Sequence, residues 1–208
     1  GIAIFLEIAE AQPDVRFAAV PTWGTSDDDL DALKRHSNVT ILPPADNIDD
    51  VLKRTRVLLV PSVWAEARSR IIPEAMLRGV PVLAANVGGI PEAMMGMDYL
   101  LPVNAIAHYH TRVDKQMVPV AEVPPQDVTP WVDALRRVTS DREHWTQLSR
   151  RARETAHAYV EAATVAPFER LLVDVISKPS RQRAAAAPVK SNTVLDTLSA
   201  DKRKLLAL

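Results

Sequence analysis

Residues 57–92 read VLLVPSVWAEARSRIIPEAMLRGVPVLAANVGGIPE, and this stretch decides the fold. Val57 to Val60 is a short, wholly apolar run, which reads as a buried central strand of a parallel sheet. Pro61 and Ser62 end it. Ile71 to Arg78 reads as a helix that Gly79 stops. Val80 to Ala84 is the next strand. Strand, loop, helix and strand in one stretch make a βαβ unit, with a right-handed crossover and parallel strands.

Working outward, the same alternation continues. Ile2 to Ala11 reads as an amphipathic helix with Ile4, Phe5, Ile8 and Ala9 on one stripe. Val15 to Val20 and Val39 to Leu42 read as strands. Asp28 to His36 and Asn47 to Thr55 read as helices, the second capped by Asn47. Tyr99 to Val103 is the last strand expected. The fold class is therefore α/β, a Rossmann-like parallel sheet with flanking helices. Downstream, His108 to Pro125 is expected to be irregular. Thr129 to Thr139, Asp141 to Val160 and Pro167 to Ser177 read as helices. Residues 1–177 form the expected domain. Residues 178–208 form a basic linker rich in Ala and Pro, then a short amphipathic segment at Val194 to Leu208.

Composition removes several function classes. Hydrophobic residues make up 47% and charged residues 25%, as in globular proteins. The absence of cysteine excludes disulfides and thiolate chemistry. His108 and His110 stand two apart, and a plain surface loop is the expectation there rather than a metal site. From Lys178 onward seven basic residues face Asp196 and Asp201, so the preceding body is acidic within a chain of net charge −1. An acidic body lacks the basic face that nucleic acid requires. No apolar run is long enough to span a bilayer and no signal peptide opens the chain, so the location expected is cytoplasmic.

Ligands of parallel sheets bind at the C-terminal ends of the strands. The loops there are Pro21 to Ser26, Pro43 to Asp46, Pro61 to Ser69 and Ala85 to Pro91. Glu66 follows a strand and Glu74 lies just inside the next helix. A carboxylate accepts two hydrogen bonds at once, which suits vicinal hydroxyls such as a ribose pair. Between them, Arg68, Ser69 and Arg70 stand where the helix begins, a place that favours an anion such as pyrophosphate. Gly88 and Gly89 allow positive φ and a close backbone approach to a ligand. Trp64 stands beside these residues, where an indole either stacks on a base or sugar or simply packs. Each part has an ordinary structural use alone; two diol readers flanking an anion site are what a nucleotide-sugar needs.

The run resembles the donor-site signature of retaining GT-B glycosyltransferases, in the large group that includes sucrose synthases and mannosyltransferases. Glu66, Glu74, Ala75, Met76, Gly79, Pro81, Val82, Gly88, Gly89, Pro91 and Glu92 match it. The resemblance covers roughly Gly1 to Ser177 and implies the C-terminal, donor-binding half of a GT-B fold. By position it implies that Glu74 binds ribose hydroxyls and that Glu66 holds the transferred sugar. Ser69 to Ile71 would offer backbone amides to the pyrophosphate, and the Pro43-Pro44-Ala45 loop would meet the base. It implies transfer with retention from a nucleotide-sugar, UDP before GDP, without metal or cofactor.

Three departures accompany the match. Arg68 and Ser69 stand where the family commonly has Phe-Gly. Pro73 precedes Glu74, a first-turn position that tolerates proline. The Arg and Lys that hold the diphosphate, the first strand of the domain and the acceptor domain would all precede Gly1, so the chain alone is expected to be inactive. Two other readings remain: a non-catalytic GT-B-like scaffold, and another GT-B enzyme such as an epimerase. A phosphorylase is disfavoured, since no lysine lies between Lys53 and Lys115 to carry its cofactor. Residues 198–206 resemble the lead-in to condensation domains of peptide-synthesising assembly lines, which would imply such a partner; a basic disordered end is the reading preferred.

Overall fold

A computed structural model describes residues 1–178 other than 23, 115, 116 and 118. The linker after Lys178 and the segment from Val194 lie outside these residues. Two compact units divide the chain, the first from Gly1 to Ala163 and the second beginning at Thr164. The division falls ahead of the last helix, whereas the sequence places it after Ser177.

In the first unit helices and strands alternate: α1 (Ile2–Ala11), β1 (Phe17–Ala19), α2 (Asp27–Lys34), β2 (Val39–Ile41), α3 (Asp49–Leu52) and β3 (Leu58–Val60). They continue as α4 (Ile71–Leu77), β4 (Val82–Ala85), α5 (Ile90–Ala93) and β5 (Leu100–Leu101). The hairpin strands β6 (His108–Val113) and β7 (Pro119–Glu122) follow, then α6 (Thr129–Ser140) and α7 (Arg142–Ala162). The second unit holds α8 (Ala166–Ser177), which buries none of its residues. Its apolar stripe of Phe168, Leu171, Leu172, Val175 and Ile176 is exposed.

Local chemistry sets the element ends. Ser26 and Asp29 form a reciprocal capping box at α2, and three aspartates fill its first turn. Asn47 Oδ1 accepts from the Asp49 N–H at 2.9 Å, but the N-cap position is Ile48, and α3 is one turn long rather than the stretch from Asn47 to Thr55. Gly79 stops α4 in the left-handed region, at φ +72°. The N–H groups of Gly79 and Val80 donate to the carbonyls of Met76 and Ala75, which closes a Schellman motif. Ser149 on α7 donates to the Gly79 carbonyl at 2.6 Å, locking this stop against the neighbouring helix.

The expected α/β fold is present, with two corrections. The parallel strands form two sheets, β1–β2 and β3–β4–β5, in place of a continuous one. Here β4 is the central strand, paired on both sides and buried throughout, whereas β3 is an edge and only half-buried. The apolar run at Val57 to Val60 therefore marks an edge strand packed against the core, not a strand with a partner on both edges. Second, His108 to Pro125 is not irregular: it contains the antiparallel β6–β7 pair, with a bulge between Tyr109 and Val113. His108 and His110 therefore sit on a strand. The core joins Ile4 and Ile8 of α1, Ile72 and Met76 of α4, Leu83 of β4, and Trp131 and Val138 of α6. The indole N–H of Trp131 is satisfied by the Pro102 carbonyl.

Candidate functional site

The loop between β3 and α4 carries most of the candidate residues. Its backbone folds on itself: the Glu66 N–H donates to the Trp64 carbonyl at 2.9 Å, a tight turn. The Glu66 carbonyl in turn accepts the Gly89 N–H at 2.8 Å. Gly88 adopts φ +56°. A Cβ at Gly88 would stand 2.6 Å from the Glu66 carbonyl oxygen, and one at Gly89 would stand 1.9 Å from that of Ala67. Both glycines are thus required for backbone to lie against backbone. The pair holds the Glu66 loop, and the Gly89 N–H is engaged with protein in this structure.

Glu66 and Glu74 are both half-buried. Neither carboxylate has a hydrogen-bond or ion-pair partner among the described residues, although other acidic side chains nearby are paired. Ser69 is buried, and it is the sole buried polar residue among those described. Arg70 is exposed at the entry to α4. Arg68 is exposed too, but its guanidinium lies 4.8 Å from the ring centroid of Tyr159 on α7. Ile71 opens α4. Arg78 braces this helix from behind, donating to the Glu74 carbonyl at 2.7 Å and pairing with Asp49 of α3. The first sequence residue, Gly1, packs against the Pro61 carbonyl, which puts the start of α1 beside the same loop.

The Pro43-Pro44-Ala45 loop follows β2, in the other parallel sheet, and is exposed. No hydrogen bond among the described residues joins it to the Glu66 loop. Two contributors escaped the sequence. Tyr159 meets Arg68 from a helix 91 positions away, and Tyr109 meets Trp64 edge to face at 5.8 Å. Neither contact leaves a spacing signal. On the hairpin, His110 Nδ1 lies 3.5 Å from Glu122 Oε1, both side chains being about half exposed. No group of three or more metal-ligating side chains stands together among the described residues.

Parallel strands joined by crossover helices, with the candidate loops at the strands' C-terminal ends, give an α/β architecture of GT-B type. The chain belongs to the group 1 glycosyl transferases, whose family model matches residues 2–141. A glycosyltransferase from Rickettsia africae superposes with a TM-score of 0.60 at 13% identity, over 84% of this chain and 43% of that one. HepE of Anabaena, solved with UDP and glucose, gives 0.60 at 18% identity over 86% and 45%. Sucrose-phosphate synthase of Thermosynechococcus elongatus gives 0.61 at 20% identity over 84% and 43%. Among curated relatives, an uncharacterized protein of the Klebsiella pneumoniae cps region is 29% identical over 92 residues, 44% of this chain and 24% of that protein. An exopolysaccharide phosphotransferase of Streptomyces coelicolor is 23% identical over 159 residues, 76% of this chain and 15% of that protein. The chain spans less than half of every one of these proteins. Among the described residues, no helix is long and apolar enough to cross a membrane.

Proposed function

We propose that the chain is the donor-binding part of a glycosyltransferase that moves a sugar from a nucleotide-sugar to an acceptor with retention of configuration. The carrying observation is the pair of half-buried, unpartnered carboxylates, Glu66 and Glu74, in a chain of this family. Glu74 accepts the two ribose hydroxyls. Glu66 holds hydroxyls of the transferred sugar beside the reacting carbon. Backbone of Ser69 to Ile71 lies near the diphosphate, and the Pro44-Ala45 loop meets the base. Arg70 makes the first charge contact with the diphosphate, because Arg68 is occupied by Tyr159. The leaving diphosphate is stabilised by positive charge and N–H groups, with no cofactor. UDP is the nucleotide proposed, in keeping with the UDP bound to HepE.

Titration of the chain with UDP and GDP tests this. UDP should bind weakly, and Glu74→Ala should abolish that binding. Retained binding in the variant would remove Glu74 from the site. The chain spans less than half of its structural neighbours, so turnover without the remaining domain is not expected. Sugar transfer by the purified chain would overturn that part.

A second reading, a non-catalytic scaffold of the same fold, is favoured by one observation: Arg68 replaces the family's Phe and is tied to α7. A scaffold predicts that Glu74→Ala leaves the biological role of the complete protein unchanged.

A further inference from the structure

The loop expected to meet the base and the helix expected to hold the ribose are carried by different sheets. The Pro43-Pro44-Ala45 loop follows β2, whereas Glu74 lies on α4, between β3 and β4. The two sheets share no strand. A run of polar contacts nevertheless crosses from one to the other. Two residues after Ala45, the Asn47 Oδ1 accepts from the Asp49 N–H at 2.9 Å. The Asp49 carboxylate accepts in turn from Arg78 Nε. Arg78 Nη1 donates onward to the Glu74 carbonyl at 2.7 Å. Both donors belong to one planar guanidinium, which fixes its two acceptors relative to each other. The Arg78 side chain is 32% exposed and that of Asp49 51% exposed. A pair this open adds little to stability, so its consequence is geometric. The pair formed by Asp50 and Lys53 gives the contrast: it is exposed too, but joins residues only three positions apart.

We infer that Arg78 is a positioning residue for the nucleoside: with Asp49 it ties the base loop to the ribose reader Glu74 at a fixed separation. The inference rests on the donor-binding reading of Glu74. Base and ribose are joined by a single bond, so a site that reads both must hold its two parts in register. A carboxylate that accepts from two neighbouring hydroxyls tolerates little displacement, because hydrogen bonds weaken steeply with distance and angle. Without the tie, α4 and the base loop would have to be ordered at the moment of binding, and that ordering lowers affinity. Arg78 acts here through the backbone of Glu74 and touches no ligand itself.

The test titrates the intact chain with UDP and with 2′-deoxy-UDP, each up to tens of millimolar, and follows binding by NMR. The ratio of the two affinities reports the contact between carboxylate and ribose. A general loss of stability leaves that ratio unmoved. In the unaltered chain UDP should bind about tenfold tighter, the worth of a hydrogen bond to a charged group. Glu74→Ala should bring the ratio to unity. Arg78→Gln and Asp49→Asn should each lower it about threefold, and the double variant should fall no further, because both changes cut the same connection. Asp50→Asn should keep the full ratio. A ratio preserved in Arg78→Gln or in Asp49→Asn overturns the inference and leaves the donor reading standing. So does an equal fall in Asp50→Asn, or additive losses in the double variant. Equal affinities for the two nucleotides in the unaltered chain, or no binding of either, remove the ribose reading of Glu74 and the inference with it.

Discussion

At Gly89 one methyl group decides whether the Glu66 loop keeps its place. The added Cβ would meet the Ala67 carbonyl oxygen, which is backbone and has no rotamer to escape into. Gly89→Ala should therefore cost about 1–3 kcal/mol and move the loop. Gly96 gives the comparison. Its φ is +78° but its Cβ would meet nothing within 4 Å. Gly96→Ala should cost about 1 kcal/mol from backbone strain alone and leave nucleotide binding intact. Urea unfolding and UDP titration of both variants separate the two causes. Equal effects on binding would mean that contact between the two loops does not position Glu66. The glycine pair was visible in the sequence, and so was its place after a strand. What the glycines touch was not, because the partner is backbone and carries no side-chain signature.

At the scale of elements, helix ends were the most legible feature. Gly79 marked the end of α4, since a left-handed C′ position strongly selects glycine. The helix that covers this stop was not legible, because α7 reaches it from 70 positions away through Ser149. Ser149→Ala removes the donor and leaves the Gly79 carbonyl to a half-buried setting. It should lower stability by about 1 kcal/mol. Thermal or urea unfolding checks this; no loss would mean that water replaces the hydroxyl at no cost. The hairpin was missed for a related reason. Within His108 to Val113 only Tyr109 and Val113 are strongly apolar, so period-two alternation barely registers. Its order comes from long-range contacts, Tyr109 on Trp64 and Ile106 on Val63. Glu66 and Glu74 were legible as candidates because their residue type and spacing are local. The engagement of Arg68 by Tyr159 was not.

Across the whole first unit the consequential feature is the break between the two parallel sheets. Residues of a parallel strand turn their N–H and C=O alternately to either side. The Leu58 N–H donates to Pro81, so Leu58 and Val60 face β4 and Leu59 faces the other way. The Phe17 N–H donates to Asn38 and the Ala19 carbonyl accepts from Leu42. Ala18 therefore faces away from β2. Leu59 and Ala18 point at sheet edges that no other strand of the described residues occupies. On β4, by contrast, the Ala84 N–H donates to Tyr99, and β3 lies on the opposite side. Amide exchange should expose this difference, since local opening is easiest where a strand has one neighbour. Ala18 and Leu59 should exchange orders of magnitude faster than Leu83 and Ala84, whose protection should approach that of global unfolding. Uncovered edges are also templates for pairing, so protection at Leu59 that rises with protein concentration would show a second copy adding to β3. Protection at Leu59 equal to that at Leu83 in dilute solution would have the opposite meaning. It would show the edge of β3 already covered, and the two sheets would then be one continuous surface beneath the candidate site.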